Sequence, residues 1–319
     1  MDNVQLAATS IVSQVLNGRN LNHALNEALA ASGDFTAQQR GALQDLSYGT
    51  MRYYGQLTNI LDRLLNKPVE DIRIRHLLLI ALYQLQYSKA AQYAVVDFAV
   101  KAVRKFNPSA SGLVNAILRN FLRKKESLLA KAACTDEGRY SYPAWWINAL
   151  KLQYGELADK ILLAGNQHPP MTLRVNRKQM TTAEYLNLLV QNNIEAYLVE
   201  PNAIMLAHPV TVDKLPGFMD GVVSVQDAGA QYAAEFLDVQ DGMRVLDACA
   251  APGGKSTHML ELAQIELFAL DKDAERLQRV RENIERLKLK ATLITGDAAQ
   301  TEEWWDGKLY HRILADVPC

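Results

Sequence analysis

Apolar residues recur at helix-face spacing through the front of the chain. Leu6, Ile11, Val12, Val15 and Leu16 share one face, and after Asn17-Gly18 the pattern resumes at Leu21, Ala24, Leu25, Ala28 and Leu29. Ser32-Gly33 reads as a stop. Thr36 followed by Gln39 is a capping-box start, opening a helical stretch that Gly55 is expected to interrupt and that continues through Leu57, Ile60, Leu61 and Leu64 to Lys67-Pro68. Helices are expected over Asp71 to Tyr87, Gln92 to Phe106 and Ser109 to Lys131, the last two parted by Asn107-Pro108. The periodicity then changes. A helix opens at Tyr142-Pro143-Ala144-Trp145-Trp146, Met171 to Asn176 alternates like a strand, and a helix near Thr182 to Asn192 precedes strands at Ala196 to Val199 and Ala203 to Leu206. From Gln226 onward strand and helix alternate: helix 226–236, strand 243–246, helix 254–262, strand 265–270, helix 274–287, and strands 291–295 and 312–315.

These patterns predict three parts. Residues 1–135 form an all-α domain, 136–225 a small α+β linking domain, and 226–319 an α/β domain with a parallel, Rossmann-like sheet. No stretch has the roughly 18 to 20 uninterrupted apolar residues of a membrane span, and the start lacks a leader pattern, so a cytoplasmic protein with no membrane partner is expected. Cys134, Cys249 and Cys319 are far apart and the six histidines are scattered, which suggests neither a disulfide framework nor a metal site. The formal charge of −1 conceals a division. Residues 1–135 hold 16 Lys and Arg against 9 Asp and Glu, whereas 136–319 hold 18 against 26. The front is therefore expected to seek anions.

Candidate chemistry lies where the first strand of the α/β part ends. Asp247-Ala248-Cys249-Ala250-Ala251-Pro252-Gly253-Gly254-Lys255 puts a small-residue loop between a buried strand and a helix N-terminus, a place where backbone comes close to a ligand and free N–H groups meet a carboxylate. The run is neither the GxGxxG dinucleotide fingerprint nor a P-loop, and a Gly-Gly turn alone is as readily a packing turn. Three further acids stand at strand ends: Asp271 after the second, placed for ribose hydroxyls, Asp297 after the third, and Asp316 after the fourth. Singly, such acids are more often solvated or cap a helix.

Together with Gly296-Asp297 and Asp316-Val317-Pro318-Cys319, the loop resembles the cofactor and target-base motifs of the RNA cytosine-5 methyltransferases. Gly112-Leu113-Val114-Asn115-Ala116-Ile117-Leu118-Arg119 and the helices before it resemble a NusB-type RNA-binding domain. That pairing is similar to the bacterial 16S ribosomal RNA methyltransferases of the RsmB (Sun/Fmu) family, and Arg174-Val175-Asn176 and Gln226-Asp227-Ala228 fit the same family. The resemblance implies an all-α NusB-like domain, a linking domain and a class I methyltransferase domain. It implies S-adenosyl-L-methionine as cofactor, 16S rRNA as partner, and a monomer at full length.

Carried over by position, Ala248, Cys249, Ala250, Ala251, Pro252, Gly253, Gly254 and Lys255 would line the methionine side of the cofactor. Asp271 would hold the ribose, Asp297 the adenine, and Asp316 would face the methionine amine and the target base. Cytosine C5 is too weak a nucleophile to take a methyl group unaided, so a thiolate adds first at C6. In this RNA family the resemblance assigns that thiol to a Thr-Cys-Ser segment beyond the fifth strand, and gives Cys319 product release. No such segment occurs in the 319 residues, so the chain is expected to be truncated and inactive as it stands, with its fourth strand at an open edge. The alternative is a non-catalytic NusB-like RNA-binding protein with a vestigial cofactor domain; a nicotinamide-dependent oxidoreductase is a third reading.

Lys101, Arg104, Lys105, Arg119, Arg123, Lys124, Lys125 and Lys131 surround the single acid Glu126. A basic run is commonly just a solvated helix face. The NusB-like resemblance favours RNA phosphate contacts for Lys101 through Lys125 instead. Trp145-Trp146 and Trp304-Trp305 are read as helix anchors and left out of the site.

Overall fold

The computed structural model describes residues 1–167, 169–199 and 202–317. Contacts divide the chain into two compact units, 1–168 and 169–319.

The first unit is helical: α1 (Asp2–Leu16), α2 (Leu21–Ala31), α3 (Ala37–Arg52), α4 (Tyr54–Leu64), α5 (Ile72–Tyr87), α6 (Gln92–Arg104), α7 (Ser111–Ala133), α8 (Asp136–Tyr140), α9 (Ala144–Tyr154) and α10 (Ala158–Gly165). Helix α5 is the central one. Eleven of its residues, from Ile74 to Leu85, are buried, because its neighbours enclose it on all sides. The Thr36 capping box forms as expected and starts α3. The helix breaks at Tyr53, however, and Gly55 lies inside α4. A Cβ at Gly55 would stand 2.7 Å from the Glu137 carbonyl oxygen, so this glycine serves the close docking of α8 rather than a chain break. Gln56 N–H donates to Ser141 Oγ at 3.2 Å and Asn59 to Thr135 Oγ1 at 3.1 Å. Residues 136–167, grouped by sequence pattern with the linking module, thus pack with the helical unit.

The second unit opens with β1 (Thr172–Val175), α11 (Thr182–Gln191), β2 (Ala196–Val199), β3 (Ala203–Leu206) and β4 (Val223–Val225). They form an antiparallel sheet of order β2-β3-β1-β4. The sequence pattern does not show β4, which has only three residues and pairs through Leu173 with Val225 and Val175 with Val223.

There follow α12 (Ala228–Phe236), β5 (Arg244–Asp247), α13 (Gly254–Leu262), β6 (Glu266–Asp271), α14 (Ala274–Arg286), β7 (Thr292–Thr295), α15 (Thr301–Trp304) and β8 (Arg312–Leu314). The strands are parallel in the order β7-β6-β5-β8. The chain runs outward from β5 to β6 and β7 on one side and later returns to β8 on the other. The carboxyl end of β5 is thus the topological switch point, where ligands bind in doubly wound sheets. Both sides of β5 are paired and all four of its residues are buried. Helix α14 lays Leu277, Val280 and Ile284 on the sheet and keeps its charges outward.

Candidate functional site

Residues 248–253 cross the switch point and are stitched into it by main-chain bonds. Ala248 N–H donates to Leu314 O at 2.8 Å, tying the loop to β8, and Ala250 N–H donates to Leu270 O at 2.9 Å, tying it to β6. Arg276 and Asn283 of α14 hold the carbonyls of Ala251 and Pro252, each at 3.0 Å. Gly253 has φ +98°, and a Cβ there would lie 3.1 Å from Val280 Cα. The turn and the approach of α14 therefore require this glycine, whereas Gly254 has only the Gln226 amide nearby, at 3.7 Å. Of the two glycines expected to clear space for a ligand, only Gly254 is in open surroundings.

Gly253 is the N-cap of α13 and offers no side-chain oxygen. The first-turn N–H groups that follow are left for a ligand or water. Beside them lies Asp247, 1% exposed. Its Oδ2 accepts from Ser256 Oγ at 2.6 Å, and Oδ1 is buried with only the Cys249 N–H directed at the carboxyl, short of well-formed hydrogen-bond geometry. Burial pushes the Asp247 carboxyl up to about 6, against the opposing pull of the Ser256 hydroxyl. A buried acceptor left unsatisfied costs free energy, and a cationic donor would relieve it.

Asp271 behaves differently. It is 4% exposed, its Oδ2 accepts from Ala251 N–H and its Oδ1 from Asp273 N–H, both at 3.0 Å. Each oxygen keeps a second acceptor site for a hydroxyl. Gly296 N–H donates to the Asp271 carbonyl at 3.1 Å, which puts the tips of β6 and β7 side by side. Asp297 is exposed; its Oδ1 accepts from Ala299 N–H at 2.9 Å and its carbonyl from Trp304 Nε1 at 2.9 Å. Asp316, also exposed, is ion-paired with Lys255, which brings β8's trailing residues to the loop. Burial first, then the negative fields of Asp271, Asp247 and Asp316, push the Cys249 thiol up. The Arg276 guanidinium opposes that shift. Cys319 lies outside the described residues.

Arg174 and Asp247 are the two side chains whose part in the site was not evident from the sequence. Arg174, on β1 of the small sheet and 3% exposed, directs Nε and Nη2 at the two oxygens of Glu261 in α13, at 2.9 and 2.7 Å. It also donates to Gly254 O at 2.6 Å, Thr257 Oγ1 at 3.1 Å and Gln226 Oε1. The guanidinium fork is saturated, and it grips the first turns of the helix that starts at the loop. Asp247 reads from the sequence only as a strand end, because nothing in residue identity marks an under-satisfied oxygen.

The basic residues expected to meet RNA do not form one surface of equal character. Lys101 pairs with Asp97 at 2.7 Å and Lys105 with Asp2 at 2.7 Å. Arg119 donates to Asn115 at 2.9 Å and Lys125 reaches the Leu85 carbonyl at 3.4 Å. Arg104, Arg123 and Lys124 are exposed with no ion pair among the described residues. No helix among the described residues is long and apolar enough to cross a membrane. No group of three or more His, Cys, Asp or Glu among them could hold a metal ion.

Three family models match successive parts of the chain: the NusB family over residues 2–123, a ferredoxin-like domain of RsmF/B-like methyltransferases over 142–213, and 16S rRNA methyltransferase RsmB/F over 234–319. The chain is 43% identical to ribosomal RNA small subunit methyltransferase B of Pseudomonas syringae pv. tomato, over 99% of its own length and 72% of that protein. It is 42% identical to the protein of the same name from Vibrio cholerae, over 99% and 74%. Among solved structures it is similar to PH0851, with a TM-score of 0.72 at 21% identity over 100% of this chain and 74% of that one, a likeness of fold. A methyltransferase homolog protein from Pyrococcus horikoshii matches with a TM-score of 0.52 at 25% identity, over 60% and 63%.

Proposed function

The chain belongs to the ribosomal RNA small subunit methyltransferase B family, and we propose that it binds S-adenosyl-L-methionine at the carboxyl end of β5 and directs methylation to C5 of a cytosine in 16S rRNA. The observation that carries the cofactor site is the buried, under-satisfied Asp247 carboxyl beside the uncapped N-terminus of α13. An α-amino acid group offers, side by side, an ammonium for the Asp247 carboxyl and a carboxylate for the free N–H groups of α13. On this reading Asp247 and Asp316 take the ammonium, and the N–H groups of Gly254 and Lys255 take the carboxylate. Asp271 uses its spare acceptor sites for ribose hydroxyls, and Asp297 stands at the adenine end.

S-adenosylmethionine, when bound, supplies a methyl group activated by its sulfonium. The target carbon needs help from the protein. A thiolate forms a bond to C6 so that C5 gains electron density, C5 takes the methyl group, and loss of the C5 proton breaks the S–C6 bond. Neither described thiol suits the attacking role: Cys134 lies exposed in the helical unit, and the Cys249 thiol is pushed up by burial and carboxylates. We assign Cys319 to product release.

Calorimetry tests the site. The 319-residue chain is expected to bind S-adenosylmethionine and not NAD, and Asp247→Ala to weaken that binding at least tenfold. Preference for NAD, or no effect of Asp247→Ala, overturns the assignment.

A further inference from the structure

Two hollows adjoin each other along α7. The larger, of about 760 Å³, lies between the 64–71 turn and the first half of α7, and the smaller, of about 310 Å³, lies between α4 and the second half. Leu64 and Asn120 line both, so the two hollows adjoin along one groove face. Its cations are Arg63, Lys67, Arg123, Lys124 and Lys131, all exposed, and none has an ion pair among the described residues. Of the two carboxylates at the larger hollow, Asp71 is engaged by Arg73 at 2.8 Å. The lysines of α6 differ, since Asp97 and Asp2 neutralise Lys101 and Lys105. Five cations without an ion pair among the described residues thus line these hollows, while Lys89, Arg104 and Arg119 are likewise exposed and unpaired elsewhere on the unit. Helical geometry explains the alignment: Asn120, Lys124, Ser127 and Lys131 recur at intervals of four, three and four residues and share one face.

The larger hollow has an apolar wall, made by Leu65, Val69, Leu113 and Ile117, and an amide set, made by Asn66, Asn107 and Asn120. A nucleobase has that combination of apolar faces and hydrogen-bonding edges, and it becomes accessible only when unstacked. The volume falls in the range of small-ligand sites.

Resting on the reading above that the chain acts on ribosomal RNA, we propose that this groove is a nucleotide seat: one splayed base of a single-stranded or loop RNA enters the larger hollow, and the flanking phosphates lie on Arg63, Lys67, Arg123, Lys124 and Lys131. The seat includes three cations that the sequence pattern did not assign to RNA, and it excludes Lys101 and Lys105.

Fluorescence anisotropy of a labelled single-stranded oligoribonucleotide and a duplex of equal length, at several salt concentrations, tests this. Arg123→Gln/Lys124→Gln is expected to weaken single-strand binding about tenfold and to lower the salt slope by about 1.4, at about 0.7 for each phosphate no longer neutralised. Asn120→Leu is expected to weaken it without changing the slope, and Lys101→Gln/Lys105→Gln to leave both within twofold. Circular dichroism checks that each surface variant is folded. Unchanged binding in the groove variants, an equal weakening in the α6 variant, or preference for duplex overturns the seat while leaving the cofactor site intact. No RNA binding by the wild-type chain, with S-adenosylmethionine still bound, overturns the seat in favour of a protein ligand for this face. Loss of cofactor binding alone would count against the methyltransferase site and not against the groove.

Discussion

Arg174→Met is the most informative single change. It removes the charge and all five donated hydrogen bonds while keeping an unbranched chain of similar reach. Glu261, 4% exposed, is left with a buried carboxylate whose partner is gone, and Gly254 O, Gln226 and Thr257 each lose a donor. Breaking a buried pair from one side costs about 3–5 kcal/mol, mostly through the uncompensated charge left behind. For a unit of 169–319 that corresponds to a fall of roughly 6–20 °C in melting temperature, at about 2–4 °C per kcal/mol. Differential scanning calorimetry measures it on the 319-residue chain. Arg174→Lys is expected to recover only part of the stability, because an ammonium cannot reproduce the bidentate fork. Arg174→Met/Glu261→Leu removes both charges and is expected to be more stable than Arg174→Met alone. A fall below about 2 °C, or a double variant no better than the single one, would refute the account of Arg174 as the partner that keeps Glu261 tolerable.

Gly253→Ala forces an L-residue to φ +98° and sets its Cβ 3.1 Å from Val280 Cα, so a loss of about 2–3 kcal/mol is expected in urea unfolding; a neutral result would mean the turn relaxes. The Asp247 carboxyl sits at about 6 against 3.8, so in the cofactor-free chain its contribution to stability falls as pH rises from about 4 to 6. Asp247→Asn is expected to gain about 2 kcal/mol relative to wild type between pH 4 and pH 7, and parallel unfolding curves would contradict this. His258 titrates the other way: burial lowers it to about 3, so its contribution is present above 6.5 and lost as pH falls toward 3. His258→Gln is expected to flatten the acid limb of the stability curve measured by urea titration. Cys249→Ala is expected to leave S-adenosylmethionine affinity within about twofold by calorimetry, since the thiol is held neutral at the loop's edge.

Much of this was legible in residue order, and the exceptions have physical causes. The parallel strands are marked by buried runs such as Val245-Leu246 and Leu267-Phe268-Ala269-Leu270, bounded by Asp247 and Asp271, of which Asp271 also carries a ligand-site signal. Strand β4 is hidden because Val223-Ser224-Val225 follows closely on the turn residues Gly217 and Gly221 and runs straight into the next helix start at Asp227. Gly55 misleads because a glycine that admits a neighbouring helix looks, in sequence, the same as one that ends its own. The basic cluster is visible as composition, but Lys105 is neutralised by Asp2 arriving from α1, which no local pattern reports, whereas the Asp97–Lys101 pair is an i,i+4 spacing that can be read along α6.

The small antiparallel sheet has a larger part in the cofactor site than its position in the chain suggests. Arg174 comes from β1, Lys178 follows it and donates to Leu260 O at 2.7 Å, and Arg286 of α14 reaches back to the sheet by donating to Phe218 O, Val223 O and Ser224 Oγ. Arg174 and Lys178 hold α13, whose N-terminus faces the proposed ligand, while Arg286 extends from α14, whose Val280 fixes Gly253. Both helices that shape the loop are therefore anchored on the same short sheet. It follows that a ligand pressing on that sheet acts on the loop through buried, hydrogen-bonded side chains rather than through a flexible linker. Cofactor affinity and the integrity of the small sheet should fail together whenever one of these three cations is removed.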